Sequence, residues 1–443
     1  MGSRRSSILV AAVVAAVALV VGVASVAGAG SSTTLATVSA AELLTKMGQA
    51  DDRAQAVSGK ISWKNRLFGD FELPSDLAQM PAQSPLTSSG EGRLWASEEG
   101  VRIESQGRGG DQVAAVSTAS RTAWTYASAT NTARRYVMTA DSGDASRPSP
   151  SAAATLTPSA VSASLRRLAP YAAVEVAGQA TVAGREAYVL RMTPVAEDTA
   201  MGAVEALIDG ETMTPLRVEV FARSGGEAVL QFGFDSVSYE AIDASLYEFT
   251  VPDGATVTTE EIDSAETRAA ANEERGGAVA AHGSAKPRKA EREKLARRAL
   301  LTFDQAQSLV AHELARARGY DARPFRWAYV LDEGVPRTAA GKPLFGMSGM
   351  DEPQTSGPST VLLYGSGFGA ITLAQTKTTP ELSKQLEQLP VALVESTTAN
   401  GSPVHSLTTP LGGVLIWQQG GTTLIAGGLV TKADLEAFVQ TVR

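Results

Sequence analysis

Val182-Ala183-Gly184-Arg185-Glu186-Ala187-Tyr188-Val189-Leu190-Arg191-Met192 decides how this chain folds. Tyr188, Leu190 and Met192 recur at every second position, and Ala183-Gly184 offers a two-residue turn that joins them to the preceding Val174 and Val176 as a hairpin. Downstream, Leu216, Val218 and Val220 alternate with Arg217 and Glu219, and Leu230, Phe232 and Phe234 repeat the pattern. Strands of this kind have one buried and one wet face, the signature of antiparallel sheet.

Working back towards the N-terminus, short alternating runs predict strands over 57–64, 92–97, 100–106, 112–118, 122–127 and 133–138, separated by Gly, Ser, Asn or acidic turn residues. Ser39 with Glu42 three residues on forms a capping box ahead of Leu43, Leu44 and Met47, which predicts a first helix to about Arg53. Thr157-Pro158 opens a second helix through Val161, Leu165 and Leu168, closed by Pro170.

Towards the C-terminus, aromatic residues vanish between about Asp253 and Arg298. Acidic residues and then a basic block from Lys286 to Arg298 take over, which cannot build a core and predicts a charged flexible linker. A second domain is expected from Leu301. Thr302 and Gln305 make another capping box, with Ala306, Leu309, Val310 and Leu314 as a helical stripe stopped by Gly319. Strands then follow from Trp327 onward, with helices at 380–389 and 432–442. The expected organisation is therefore a membrane segment at 1–30, a β-rich domain at 39–253, a linker at 254–300 and a smaller α+β domain at 301–443.

Arg4 and Arg5 precede an apolar run from Ile8 to Ala27, long enough for one spanning helix with the bulk of the chain outside the cytoplasmic membrane. Ala27-Gly28-Ala29 also fits a signal-peptidase site, which would make the protein secreted; both readings stand. The chain has 443 residues, no cysteine and a net charge of −8. That composition excludes disulfides, thiolate metal sites and a lipidated cysteine, and argues against nucleic acid as partner.

Chemistry is sparse. His282, His312 and His405 have no local partners, and His312-Glu313-Leu314-Ala315-Arg316 carries Arg316 where a second zinc ligand is needed. Gly365-Ser366-Gly367-Phe368-Gly369 leads into a strand rather than a helix, so it reads as a hairpin turn and not as a phosphate loop. Gly346-Met347-Ser348-Gly349 lacks the last glycine of a hydrolase elbow. No enzyme, metal or cofactor is expected. What remains is apolar surface: Leu67, Phe68, Phe71, Leu73, Leu77, Met80 and Leu86 crowd one Pro-punctuated loop, and Trp63, Trp95, Trp124, Tyr126 and Tyr136 lie on successive strands. Of these, Trp63, Phe68, Phe71, Trp95, Trp124, Tyr126 and Tyr136 are the candidate ligand-binding residues, with core packing as the competing role for most of them.

The order helix, antiparallel meander, helix, further strands resembles the LolA-like half-barrel shared by LolA, LolB and the N-terminal domain of RseB/MucB proteins. The residues that carry it are Ser89-Gly90-Glu91-Gly92-Arg93-Leu94-Trp95 with Val101-Arg102-Ile103-Glu104, Thr122-Ala123-Trp124-Thr125-Tyr126, Val182 to Leu190, Ile208-Asp209 and Pro215-Leu216-Arg217-Val218. The resemblance implies a concave apolar sheet plugged by helices, no catalytic residue, and an acyl chain, lipid or lipoprotein as ligand. It implies, as an alternative, an RseB-like regulator that binds the extracytoplasmic part of an anti-sigma factor. A membrane tether departs from a shuttling carrier and moves the expectation towards a tethered binder or regulator.

Overall fold

A computed structural model describes residues 35–51, 56–68, 89–106, 110–139, 165, 168–263, 301–310, 312–331, 359–387, 395–399 and 401–443. The expected membrane segment at 1–30, most of the helix expected from Thr157 to Leu168, and Phe71 with the rest of its apolar loop from Leu73 lie outside these residues. Among the described residues no helix is long and apolar enough to cross a membrane. The chain divides into two units: Met1–Thr193 with Val204–Val220 and Ala228–Val279, and Pro194–Ala203 with Phe221–Glu227 and Ala280–Arg443.

The protein is mostly β. Helix α1 (Ala40–Asp51) is followed by β1 (Val57–Asn65), β2 (Gly90–Ser97), β3 (Gly100–Gln106), β4 (Gln112–Ser117), β5 (Thr122–Ala127) and β6 (Thr132–Thr139). Next come β7 (Ala172–Val182), β8 (Arg185–Pro194), β9 (Met201–Asp209), β10 (Pro215–Ala222), β11 (Leu230–Ser238) and β12 (Thr256–Asp263). All twelve strands form one sheet in the order β12-β6-β5-β4-β3-β2-β1-β11-β10-β9-β8-β7. The meander β1 to β6 pairs antiparallel throughout, and its seam with the second half is β1 against β11, where Ile61 faces Phe234 and Trp63 faces Phe232.

Local chemistry explains the turns. Ala183 and Gly184 both hold positive φ, 54° and 76°, as a two-residue turn that follows the strand twist requires. On the β8 side of that hairpin, Arg185 reaches the β9–β10 connection. There Asp209 accepts from Arg185 Nε at 2.7 Å, from Tyr239 OH at 2.9 Å and from the amides of Glu211 and Thr212, which closes the turn around one buried carboxylate. Helix α1 starts as its capping box demands, with Glu42 N donating to Ser39 Oγ and Ser39 N donating back to the Glu42 carboxylate.

Two expectations for the sheet need correction. The stretch from 254, expected to open the linker, instead supplies β12 at Thr256–Asp263, because a run of β-branched residues tolerates extended backbone even without aromatic neighbours. That strand pairs parallel with β6, so the sheet is not antiparallel throughout.

The second unit contains a seven-stranded antiparallel sheet of β13 (Phe325–Leu331), β14 (Ser359–Tyr364), β15 (Ile371–Lys377), β16 (Glu395–Ala399), β17 (Ser402–Thr409), β18 (Gly412–Gln419) and β19 (Thr422–Gly428), ordered β13-β14-β15-β19-β18-β17-β16. Its helices are α2 (Phe303–Gln307), α3 (Pro380–Glu387) and α4 (Lys432–Thr441). Leu435, Phe438 and Val439 of α4 pack with Leu362, Leu373, Leu415, Trp417 and Leu424 in one core. The capping box at Thr302 and Gln305 forms, but the helix ends at Gln307 instead of running to Gly319. Ser308 Oγ donates to the Gln305 carbonyl, and the Gln307 side chain bonds the His312 carbonyl and the Leu314 amide in place of further helical turns. His312 therefore stands outside any helix, correcting its expected position. In the same unit the guanidinium of Arg323, 3% exposed, donates to the Gly369 carbonyl and Tyr320 OH at 2.7 Å each and pairs with Asp198 at 2.6 Å. The glycine loop that the sequence assigns to a hairpin turn does join β14 to β15, and Gly365 lies against the Arg323 stem.

Candidate functional site

Side chains alternate along each strand, so the register assigns every candidate residue to one of two faces of the large sheet. Val57, Ile61 and Trp63 of β1 share the first face with Leu94 and Ala96 of β2, Val101 and Ile103 of β3, and Phe232 and Phe234 of β11. Leu216 of β10, Leu207 of β9, and Ala187 and Val189 of β8 extend the same apolar cluster. Ile61, Leu94, Leu216 and Phe234 are wholly buried. Small residues thin the sheet beside Trp63. Gly90 and Gly92 stand opposite Trp63 and Ile61, and a Cβ on Gly90 would come within 2.5 Å of the indole ring.

The second face is different in kind. Over β7 to β9 it is covered by the N-terminal helix, with Leu43, Val38 and Met47 packed on Tyr188, Ile208, Leu190 and Val176. Over β3 to β6 it carries Trp124 and Tyr126, whose ring centroids lie 5.4 and 5.7 Å from that of Phe249, and the Arg135 guanidinium stands 5.7 Å from the Trp124 ring. A short turn at 244–247 seats Tyr247 on Gly100, and Ser117 Oγ donates to Glu248 at 2.6 Å.

The candidate set therefore splits. Trp63 is buried on the first face, and Tyr136 shares that face through Ala123, five strands away. Burial raises the Tyr136 phenol above its usual range, and the nearby Glu260 charge adds to this. Trp95, Trp124 and Tyr126 are half-buried on the opposite face and cannot line the same surface as Trp63. Phe68 is half-buried beyond the end of β1, and Phe71 lies outside the described residues. Sequence reading missed Phe232 and Phe234 as neighbours of Trp63, because only the pairing of β1 with β11 reveals them. It also missed Phe249, which sits in a stretch without alternation.

Among the described residues no group of three or more His, Asp or Glu could hold a metal ion. Asp209, the most deeply buried carboxylate among the described residues, has its oxygens occupied by Arg185, Tyr239 and backbone amides. His312 is held below the usual imidazole range by burial and by the Lys377 charge.

No curated protein matches this sequence. Among solved structures, the Pseudomonas aeruginosa MucA/MucB complex aligns at 14% identity over 91% of this chain and 98% of that one, with a TM-score of 0.36. A structure of MucB in complex with MucA(peri) gives 13% identity over 91% and 97%, also at 0.36. The LolA superfamily protein NE2245 from Nitrosomonas europaea gives 10% over 48% and 99%, at 0.18. Residues 132–264, from β6 to the end of β12, match the family model described as the MucB/RseB N-terminal domain, which bears out the RseB-type resemblance read from Val182 to Leu190, Ile208-Asp209 and Pro215 to Val218.

Proposed function

We propose that this chain is an extracytoplasmic, membrane-tethered binding protein, not an enzyme, whose large sheet forms a LolA-type half-barrel plugged by helices. On this reading an acyl chain, a lipid or a lipoprotein is held against the first face. The observation that carries it is the continuity of that face: Val57, Ile61, Trp63, Leu94, Leu207, Leu216 and Phe234 make one buried apolar cluster across both halves of the sheet. The MucB/RseB match over residues 132–264 supports it. The test is mass spectrometry of an organic extract from full-length protein purified from native membranes without detergent washing. Lipid at about one equivalent per chain is expected; a well-folded sample that extracts empty overturns the reading.

The aromatic group on the opposite face favours a second reading, an RseB-like regulator of an anti-sigma factor. Trp124, Tyr126 and Phe249 are half-buried, and Arg135 lies over the Trp124 ring, a combination suited to a protein partner. A photo-crosslinker at Tyr126 in cells would capture a single membrane protein on this reading and only lipid or nothing on the first.

A further inference from the structure

We propose that the indole N–H of Trp63 is the polar contact point of the first face and takes the carbonyl oxygen of a bound acyl group. This rests on the hydrophobic-ligand reading above and narrows it to ligands whose apolar chain carries a neutral acceptor.

Trp63 is 3% exposed, and its Nε1 is buried without a hydrogen-bond partner among the described residues. Leaving a donor of this kind unsatisfied is costly, and native structures retain few of them without a reason. The indole is donor-only, so what completes it must be an acceptor. Its surroundings select which one. Gly90 and Phe232 stand opposite it on the two neighbouring strands, with Ile61, Phe234 and Gly92 on one side along the same face and Asn65 and Leu230 on the other. None of these carries charge, so a carboxylate or phosphate placed there would lose its hydration with nothing among them to replace it. An ester or amide carbonyl loses far less and arrives on an apolar body that the same face can cover.

Geometry gives the indole its place. The ring lies across the bare backbone of Gly90, and a Cβ at that position would fall 2.8 Å from Cε2, the ring atom bonded to Nε1. The N–H edge is therefore set by the missing side chain on β2, and the residue that carries it belongs to the apolar cluster.

The ester carbonyl of a lipid and the amide carbonyl of an N-acylated protein share this chemistry. Three pyrene-labelled chains of equal length distinguish the cases: a methyl ester, an N-methyl amide and a plain hydrocarbon, each titrated into purified full-length protein. The wild type is expected to bind at least one carbonyl chain about fivefold to tenfold more tightly than the hydrocarbon, the range set by one neutral hydrogen bond. Tighter ester binding points to a lipid and tighter amide binding to an acylated protein. Trp63→Phe should abolish the preference for carbonyl chains over the hydrocarbon. Trp63→benzothienylalanine, which keeps the bicyclic shape and replaces N–H by sulfur, should do the same if the smaller ring disturbs packing. Equal binding of all three chains by the wild type, or a preference that survives loss of the N–H, overturns the role of Trp63 with ligand binding intact. Failure of the wild type to bind any of the three overturns the ligand reading itself.

Discussion

Asp209 shows how much of this fold hangs on single side chains. Burial alone would raise its pKa, yet the Arg185 guanidinium and the amides of Glu211 and Thr212 outweigh burial and hold it below the usual carboxylate range. A carboxylate depressed on folding contributes stability that is fully present above its unfolded pKa and lost as the pH falls through its folded value. Urea denaturation at pH 7 and pH 3 should therefore show the wild type losing stability in acid through this group, and Asp209→Asn losing less of it. At pH 7 Asp209→Ala should cost about 2 to 4 kcal/mol, because it removes the acceptor shared by Arg185, Tyr239 OH and two backbone amides and leaves Arg185 only Glu211. Arg323 is the counterpart in the second unit. Arg323→Met removes donors to the Gly369 carbonyl and Tyr320 OH as well as the Asp198 pair, and should lower that unit's stability by about 2 to 4 kcal/mol in calorimetry. The Asp198 side chain is 45% exposed and can be rehydrated, so Asp198→Ala should cost less than Arg323→Met.

At the scale of single elements, the contact between β1 and β2 is the sharpest place to intervene. Gly90→Ala puts a methyl group into the Trp63 ring and should destabilise the first unit by about 1 to 3 kcal/mol, with a change in tryptophan emission that the same substitution at Gly184 would not produce. Removing the α1 cap by Ser39→Ala should cost about 1 kcal/mol, read as loss of amide protection in residues 40–43. Elements whose signals are local were legible in the sequence. The β7–β8 hairpin, β10, β11 and both capping boxes followed from alternation, turn residues and residue spacing. Elements decided by tertiary partners were not. β12 has neither aromatics nor clean alternation and owes its place to β6, and the helix from Thr302 stops early because Gln307 finds partners at His312 and Leu314. The candidate aromatics show the same limit. Trp63, Trp95, Trp124, Tyr126 and Tyr136 lie on strands as alternation predicts, but whether Trp124 shares a face with Trp63 depends on a register carried across five strands, which no local pattern encodes.

Over the whole large sheet, strands near in sequence are mostly near in space, with two exceptions: β1 closes on β11, and β6 closes on β12. Both pairings span well over a hundred residues, and long-range closures of this kind form late because chain entropy is lost before contacts return it. Slow refolding is therefore expected, with amide protection in β3, β4 and β5 appearing before protection of β1 backbone groups facing β11, as pulse-labelled hydrogen exchange would resolve. The seam has a further consequence for a chain that is synthesised from its N-terminus onward. Until Ser238 has emerged, β1 remains a bare strand edge lined on one side by Ile61 and Trp63, able to accept an equivalent strand from a second nascent copy. Escort by a holdase during this interval becomes a condition of closing the sheet within one chain, and strand-exchanged dimers are the by-product to look for when expression outruns it.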